Sequence, residues 1–202
     1  MSIEIPELIA ALVFIIPMCF TPGPNNVLCA AHGSQYGVRN SLSLISGMAV
    51  GWSILGLGIA AGATFIEENK IVFQILTYIG AIYMVYLGYK IATSTKVDDS
   101  DTDERLGFWT GLTLQMVNGK AWFHFLVLMT TFGAVLGGGY EAKVGLVLLN
   151  LSFGLAAVLS WTVFGTGLRK IFSGNESGIK LNQTMGFLLV LVAVWIVRPE
   201  ML

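Results

Sequence analysis

Six stretches of this 202-residue chain are apolar over the length a helix needs to cross a bilayer, roughly 20 residues. They cover about 7–31, 41–66, 71–94, 107–135, 144–168 and 179–197. In hydrocarbon every backbone N–H and C=O must be paired within the protein, so runs of this length fold as helices. The sequence therefore predicts an all-α integral membrane protein with six transmembrane helices in a single membrane domain. The last run is the weakest, because Asn182, Gln183 and Thr184 occupy its first turns; without it five helices would remain. Only 11% of the residues are charged, against about 25% in soluble domains.

The connections carry an orientation signal. Arg39, then Lys90, Lys96 and Arg105, then Arg169, Lys170 and Lys180 flank the first, third and fifth connections, whereas Lys70, Lys143 and Arg198 are the cations on the other side. By the positive-inside rule the odd connections face the cytoplasm, which puts both termini in the periplasm or its equivalent. Glu4 and Glu7 stand where a signal peptide would be basic, so the first segment is expected to be retained.

The third connection contains Asp98, Asp99, Asp101, Asp103 and Glu104, a like-charged block that repels itself and stays solvated. It divides the chain into a three-helix half at 1–94, an acidic cytoplasmic linker at 95–106 and a second three-helix half at 107–202. Three is odd, so the halves enter the membrane in opposite senses. Two inverted three-helix repeats are a recurring plan for secondary transporters, with the site where broken helices of the repeats meet.

The first run contains such a break: Thr21-Pro22-Gly23-Pro24-Asn25-Asn26. Thr21 is a suitable N-cap and Pro22 a favoured first helical residue, so a second half-helix is expected to start there, its N-terminus a natural carboxylate site. Pro17, Pro22 and Pro24 lack the N–H groups that would pair with the carbonyls of Val13, Met18 and Phe20, leaving acceptors for an ammonium. Donors and acceptors so close together suit a zwitterionic α-amino acid. A purely structural kink would need only one proline. In the second half, Gln115, Asn118, Gly119 and Lys120 interrupt the fourth run at the corresponding place.

All twelve Asp and Glu residues lie in termini or connections. Exporters of divalent metals need hard anionic oxygens and many proton-coupled carriers use intramembrane carboxylates, so neither a metal nor a cofactor is expected. The net charge of -1 argues against a nucleic-acid partner. Cys19 and Cys29 read as buried packing residues. Lys120 is a lone intramembrane cation, functional by default: it gives up its proton, is solvated by freed carbonyls, or awaits an anionic group on the substrate, unless it snorkels to the interface. His124 lies one turn on, on the same face, as a candidate proton relay or a hydrogen-bonded structural residue. Gly47 with Gly51, Gly58 with Gly62, Gly107 with Gly111 and Gly133 with Gly137 are spaced for close helix packing, within the bundle or at a homodimer face.

Thr-Pro-Gly-Pro-Asn at 21–25, Gly80-Ala81 with Tyr83, Tyr86, Leu87 and Gly88, and Gln-x-x-Asn-x-Lys at 115–120 together resemble the LysE/RhtB family of bacterial amino-acid exporters, over essentially the whole chain. The resemblance implies a carrier of the bacterial cytoplasmic (inner) membrane, with Thr21 to Asn25, Asn118 and Lys120 at the family's motif positions. The family more often has proline where this chain has Gly119, and glycine permits a bend without forcing one. Without an intramembrane carboxylate to receive a cationic side chain, small neutral substrates are favoured, such as homoserine, threonine, cysteine or O-acetylserine.

The expectation is a secondary transporter working by alternating access. Thr21, Pro22, Gly23, Pro24, Asn25 and Asn26 would hold the substrate carboxylate, helped by Lys120, while freed carbonyls, Gln115 and Asn118 take its ammonium. Two rivals are a membrane-embedded enzyme using Lys120 and His124, and a non-transporting assembly subunit. The former lacks a nucleophile-base-acid set.

Overall fold

The computed structural model describes residues 5–68, 70–93, 105–133, 135–136, 139–171 and 175–197. The acidic run from Asp98 to Glu104 lies outside them. Among the described residues there are seven helices and no strand: α1 (Ile5–Phe20), α2 (Pro24–Glu68), α3 (Lys70–Ala92), α4 (Phe108–Met116), α5 (Gly119–Phe132), α6 (Tyr140–Ile171) and α7 (Asn175–Ile196).

Seven helices replace the expected six because the first and fourth runs are each broken, while the remainder of the first run joins the second. The join is α2, which bends at Gly37, where φ is 74° and ψ 175°, and again at Gly62. The positive φ at Gly37 belongs to the left-handed region that a residue without a Cβ enters at little cost. By length and apolar composition Pro24–Gly62 and Tyr140–Ile171 are each long enough to cross a membrane, and Ile5–Phe20 is a shorter apolar helix.

The exterior is apolar and the interior holds the polar groups. Val13, Ile54, Ile82, Trp109, Val163 and Phe187 are exposed, whereas Asn25, Asn26, His32, Gln115, Asn118, His124, Asn150 and Asn182 are buried. Water would reverse that distribution; a hydrocarbon solvent permits it, provided that the buried polar groups find partners.

Glycines let the backbones approach. A Cβ at Gly47 or Gly111 would run into the backbone of the facing helix in the α2–α4 pair, one at Gly165 into the Ala30 carbonyl between α6 and α2, and one at Gly186 into Gly88 between α7 and α3. Three of the spaced glycines, Gly47, Gly51 and Gly111, are thus spent on packing within the chain, while Gly58 and Gly62 meet open space. Gly137 lies outside the described residues. Gly165→Val is expected to force α6 off α2 at a cost of about 1–3 kcal/mol or more, since backbone rather than a side chain must yield. Thermal unfolding of the detergent-solubilised protein reads this out, and an unchanged midpoint would refute it.

The most extensive packing is between α2 and α6. α4 packs on α2 and α1 on α6; α5 also leans on α2; α3 and α7 pack on each other. Residues of the first, third and fifth connections gather at one end. There Arg105 Nη1 donates to Asn40 Oδ1 at 2.9 Å with its guanidinium 5.8 Å from the Tyr36 ring, and Arg169 donates to the Gln35 carbonyl. At the other end Lys143 Nζ donates to the Ala60 carbonyl at 3.3 Å.

Candidate functional site

The helix after the first break begins two residues later than the motif suggested. Proline disfavours the helical conformation in the residue before it, so with Pro24 present Gly23 stays outside the helix and α2 begins at Pro24, the favoured place for proline. Its first hydrogen bond runs from Val27 N to the Gly23 carbonyl at 3.0 Å. Thr21 therefore does not cap the helix, and Pro22 stays outside it.

The carbonyls freed here are those of Cys19, Phe20 and Thr21, and the chain itself supplies donors to them. Asn26 Nδ2 gives one hydrogen to Cys19 O at 2.7 Å and one to Thr21 O at 2.8 Å. Trp161 Nε1, from α6, donates to Phe20 O at 3.1 Å. Both N–H groups of Asn26 are thereby used in holding the break.

The fourth run is broken despite its glycine. Asn118 is extended, with φ -85° and ψ 96°, and its side chain accepts from Ala121 N as the N-cap of α5, leaving Gly119 as the first helical residue. A side-chain cap competes with helix continuation, so Asn118 decides the bend that Gly119 merely allows. Trp122 Nε1 takes up the Met116 carbonyl at 2.9 Å.

The two breaks touch. Asn118 Nδ2 donates to Asn25 Oδ1 at 3.2 Å. Lys120 Nζ donates to Thr21 Oγ1 at 3.0 Å and to Thr21 O at 3.3 Å, so a carbonyl freed by the break is one of its partners. Between the breaks lies a pocket whose empty space, its open mouth included, is about 560 Å³. Gly23, Pro24, Asn25, Asn26, Gln115, Asn118, Lys120 and His124 line it, and Thr21 and Pro22 do not.

On the far wall His124 Nε2 lies 2.9 Å from Asn150 Oδ1, which also accepts from Cys19 Sγ at 3.6 Å. The ring stacks on Phe14 at 5.2 Å and lies 5.7 Å from Trp52. Asn150 and Trp52 were not anticipated. A lone asparagine inside the fifth run was the available signal for the first, while nothing in the sequence distinguishes Trp52 from the other four tryptophans. Four buried polar atoms here have no hydrogen-bond partner: Gln115 Oε1 and Nε2, Trp52 Nε1 and Asn150 Nδ2.

Residues 16–199 match the family profile described as LysE type translocator. The chain is 33% identical over 195 residues to a cysteine/O-acetylserine efflux protein of Klebsiella pneumoniae, a match covering 95% of this chain and 98% of that one. It is 30% identical over 193 residues to proteins of the same description from Salmonella typhimurium and Escherichia coli, covering 94% of this chain and 97% of theirs. No solved structure matches it.

Proposed function

The chain belongs to the LysE type translocator family, and from that premise we propose that it exports small neutral amino acids or their derivatives from a site where its two helix breaks meet. Membership makes it a helical inner-membrane translocator and not an enzyme, so Lys120 and His124 are read as transport residues. The observation that carries the proposal is the cavity lined from both breaks at once. The N-terminus of α2 at Pro24 to Asn26 offers unpaired N–H groups and the positive end of the helix dipole to a carboxylate, and Lys120 adds a cation beside it. Asn118 and Gln115 Oε1 are acceptors for the ammonium.

We read the two halves as inverted repeats that alternate access to this site. Both are broken in their first run, and each half's broken helix leans on the unbroken helix of the other, as a pseudo-two-fold axis would require. The excess of Lys and Arg in the odd connections supports a cytoplasmic placement for those connections, with both termini outside. Because the matched relatives are described as cysteine/O-acetylserine efflux proteins, those two compounds head the substrates to test.

Cells overproducing the protein are expected to release more of one or more small neutral amino acids than control cells, and to resist toxic analogues of them. No change in any extracellular amino acid would overturn the proposal, while transport by the purified protein in liposomes would exclude a mere assembly role. His124 is the proposed proton relay. Collapsing the proton gradient should then slow export by the wild type, whereas His124→Gln should leave only a residual, gradient-insensitive rate; equal sensitivity in both would remove His124 from coupling.

A further inference from the structure

A neutral imidazole carries its hydrogen on one ring nitrogen and a lone pair on the other, and the hydrogen bond that one of them makes decides which is which. The ring of His124 is held by packing: Phe14 stacks on it at 5.2 Å, Trp52 lies 5.7 Å away and Phe125 meets it edge-on at 5.5 Å. Apolar walls fix the plane of a ring but not the place of its hydrogen. That is left to Asn150, which has no exposed surface and whose Oδ1 lies 2.9 Å from His124 Nε2.

Oδ1 also accepts from Cys19 Sγ at 3.6 Å, so two groups from different helices converge on one atom of the amide. An amide oxygen can only accept. Nε2 therefore carries the hydrogen in the neutral ring, and Nδ1 the lone pair. Nδ1 makes no hydrogen bond among the described residues and is not sealed in as the unpartnered atoms around it are, so the surface that His124 keeps on the cavity wall includes this nitrogen. The charged and titratable groups nearby are Lys120, one turn back on α5, and the Cys19 thiol of α1. Acidic side chains are confined to the termini and connections.

We propose that Asn150 is a positioning residue that sets the tautomer of His124, holding the hydrogen on Nε2 so that Nδ1 meets the cavity as the proton acceptor. The inference rests on the exporter reading above, with His124 as its relay. A hydronium ion in the cavity gives its proton to the Nδ1 lone pair, leaving water and an imidazolium. Nε2–H still donates to Oδ1, so nothing in the wall has to rearrange. When the proton leaves for water the new Nδ1–H bond breaks and the lone pair returns to Nδ1. Asparagine suits this cycle because its oxygen accepts in both states; a carboxylate would accept too, but its charge would favour the imidazolium and retard release.

Two histidines are present, so nitrogen NMR of the bilayer-reconstituted protein with isotope-labelled histidine reads the tautomer, and the signal missing in His124→Gln is that of His124. At alkaline pH the wild-type ring is expected to be protonated at Nε2. Asn150→Leu, close to asparagine in size, leaves the cavity as the one place where the ring hydrogen finds an acceptor. The Nδ1–H form should then gain about fivefold or more over the Nε2–H form, the equilibrium worth of one hydrogen bond, and the part of export that collapses with the proton gradient should fall by at least the same factor. If the leucine variant fails to fold, the wild-type spectrum decides alone. A wild-type ring protonated at Nδ1, or a folded leucine variant with the wild-type tautomer, overturns the positioning role and leaves the exporter reading standing. No export of any amino acid by wild type sinks both.

Discussion

Lys120→Met is expected to abolish export while leaving the protein folded. Methionine retains most of the stem that packs over Gly23, where a Cβ would lie 3.0 Å from Lys120 Cδ, so the wall of the cavity keeps its shape. Two hydrogen bonds to Thr21 are lost, but so is the cost of holding a cation away from bulk water. These terms oppose each other, and the net change in stability should be within about 1 kcal/mol. Binding has no such compensation. Removing the cation from a desolvated carboxylate costs about 2–5 kcal/mol, or at least roughly thirtyfold in affinity. Export assays paired with thermal unfolding decide the matter. Unaltered export would take Lys120 out of the mechanism, and a collapsed melting curve would make it a scaffold residue.

Asn26→Ala is expected to do the reverse. Asn26 is 4% exposed and gives both its amide hydrogens to the break, at Cys19 O and Thr21 O. Truncation leaves the buried Cys19 carbonyl without its donor, at about 1–3 kcal/mol, and leaves Thr21 O with Lys120 alone. That cost is a sizeable share of a total stability of about 5–15 kcal/mol. Asn26→Asp should be no better, since a carboxylate brings oxygens to oxygens. Loss of a monodisperse, cooperatively melting protein in both variants is the expected result; an alanine variant as stable as wild type would show that the break holds itself. The two substitutions lie in neighbouring parts of one cavity yet should fail in different assays, because Lys120 faces what enters and Asn26 faces the chain's own backbone.

That difference marks how far the sequence could be read. The break at Thr21 to Asn26 was legible because prolines and amides do not belong in an apolar run, and covalent geometry alone makes them disruptive. Gln115 to Lys120 was legible as polarity out of place, but not as a bend: Gly119 allows either backbone, and what decides is Asn118 turning its side chain back to cap α5. The position of the helix start was misjudged by two residues because Thr21 and Pro22 fit the local rule for a start, and Pro24 overrides it. Trp52 and Asn150 were not legible at all. Being unpaired is a property of the assembled bundle, and no spacing along the chain encodes it. The bend at Gly37 was hidden for a related reason: with 24 glycines present, that this one turns left-handed depends on how the two limbs of α2 are held by α4 and α6.

The partners of the first break also set a timetable. Phe20 O is paired by Trp161, 141 residues further along, and Thr21 by Lys120, 99 residues further along. A ribosome feeding this chain into the bilayer releases the break long before either partner has been made, while exposed backbone in lipid costs several kcal/mol per group. The nascent first half must therefore wait in a sheltered setting, beside the insertion machinery or with water still in its break, until the fourth and fifth runs arrive to close it. Truncating the chain after α3 should yield not a small stable bundle but a substrate for quality control.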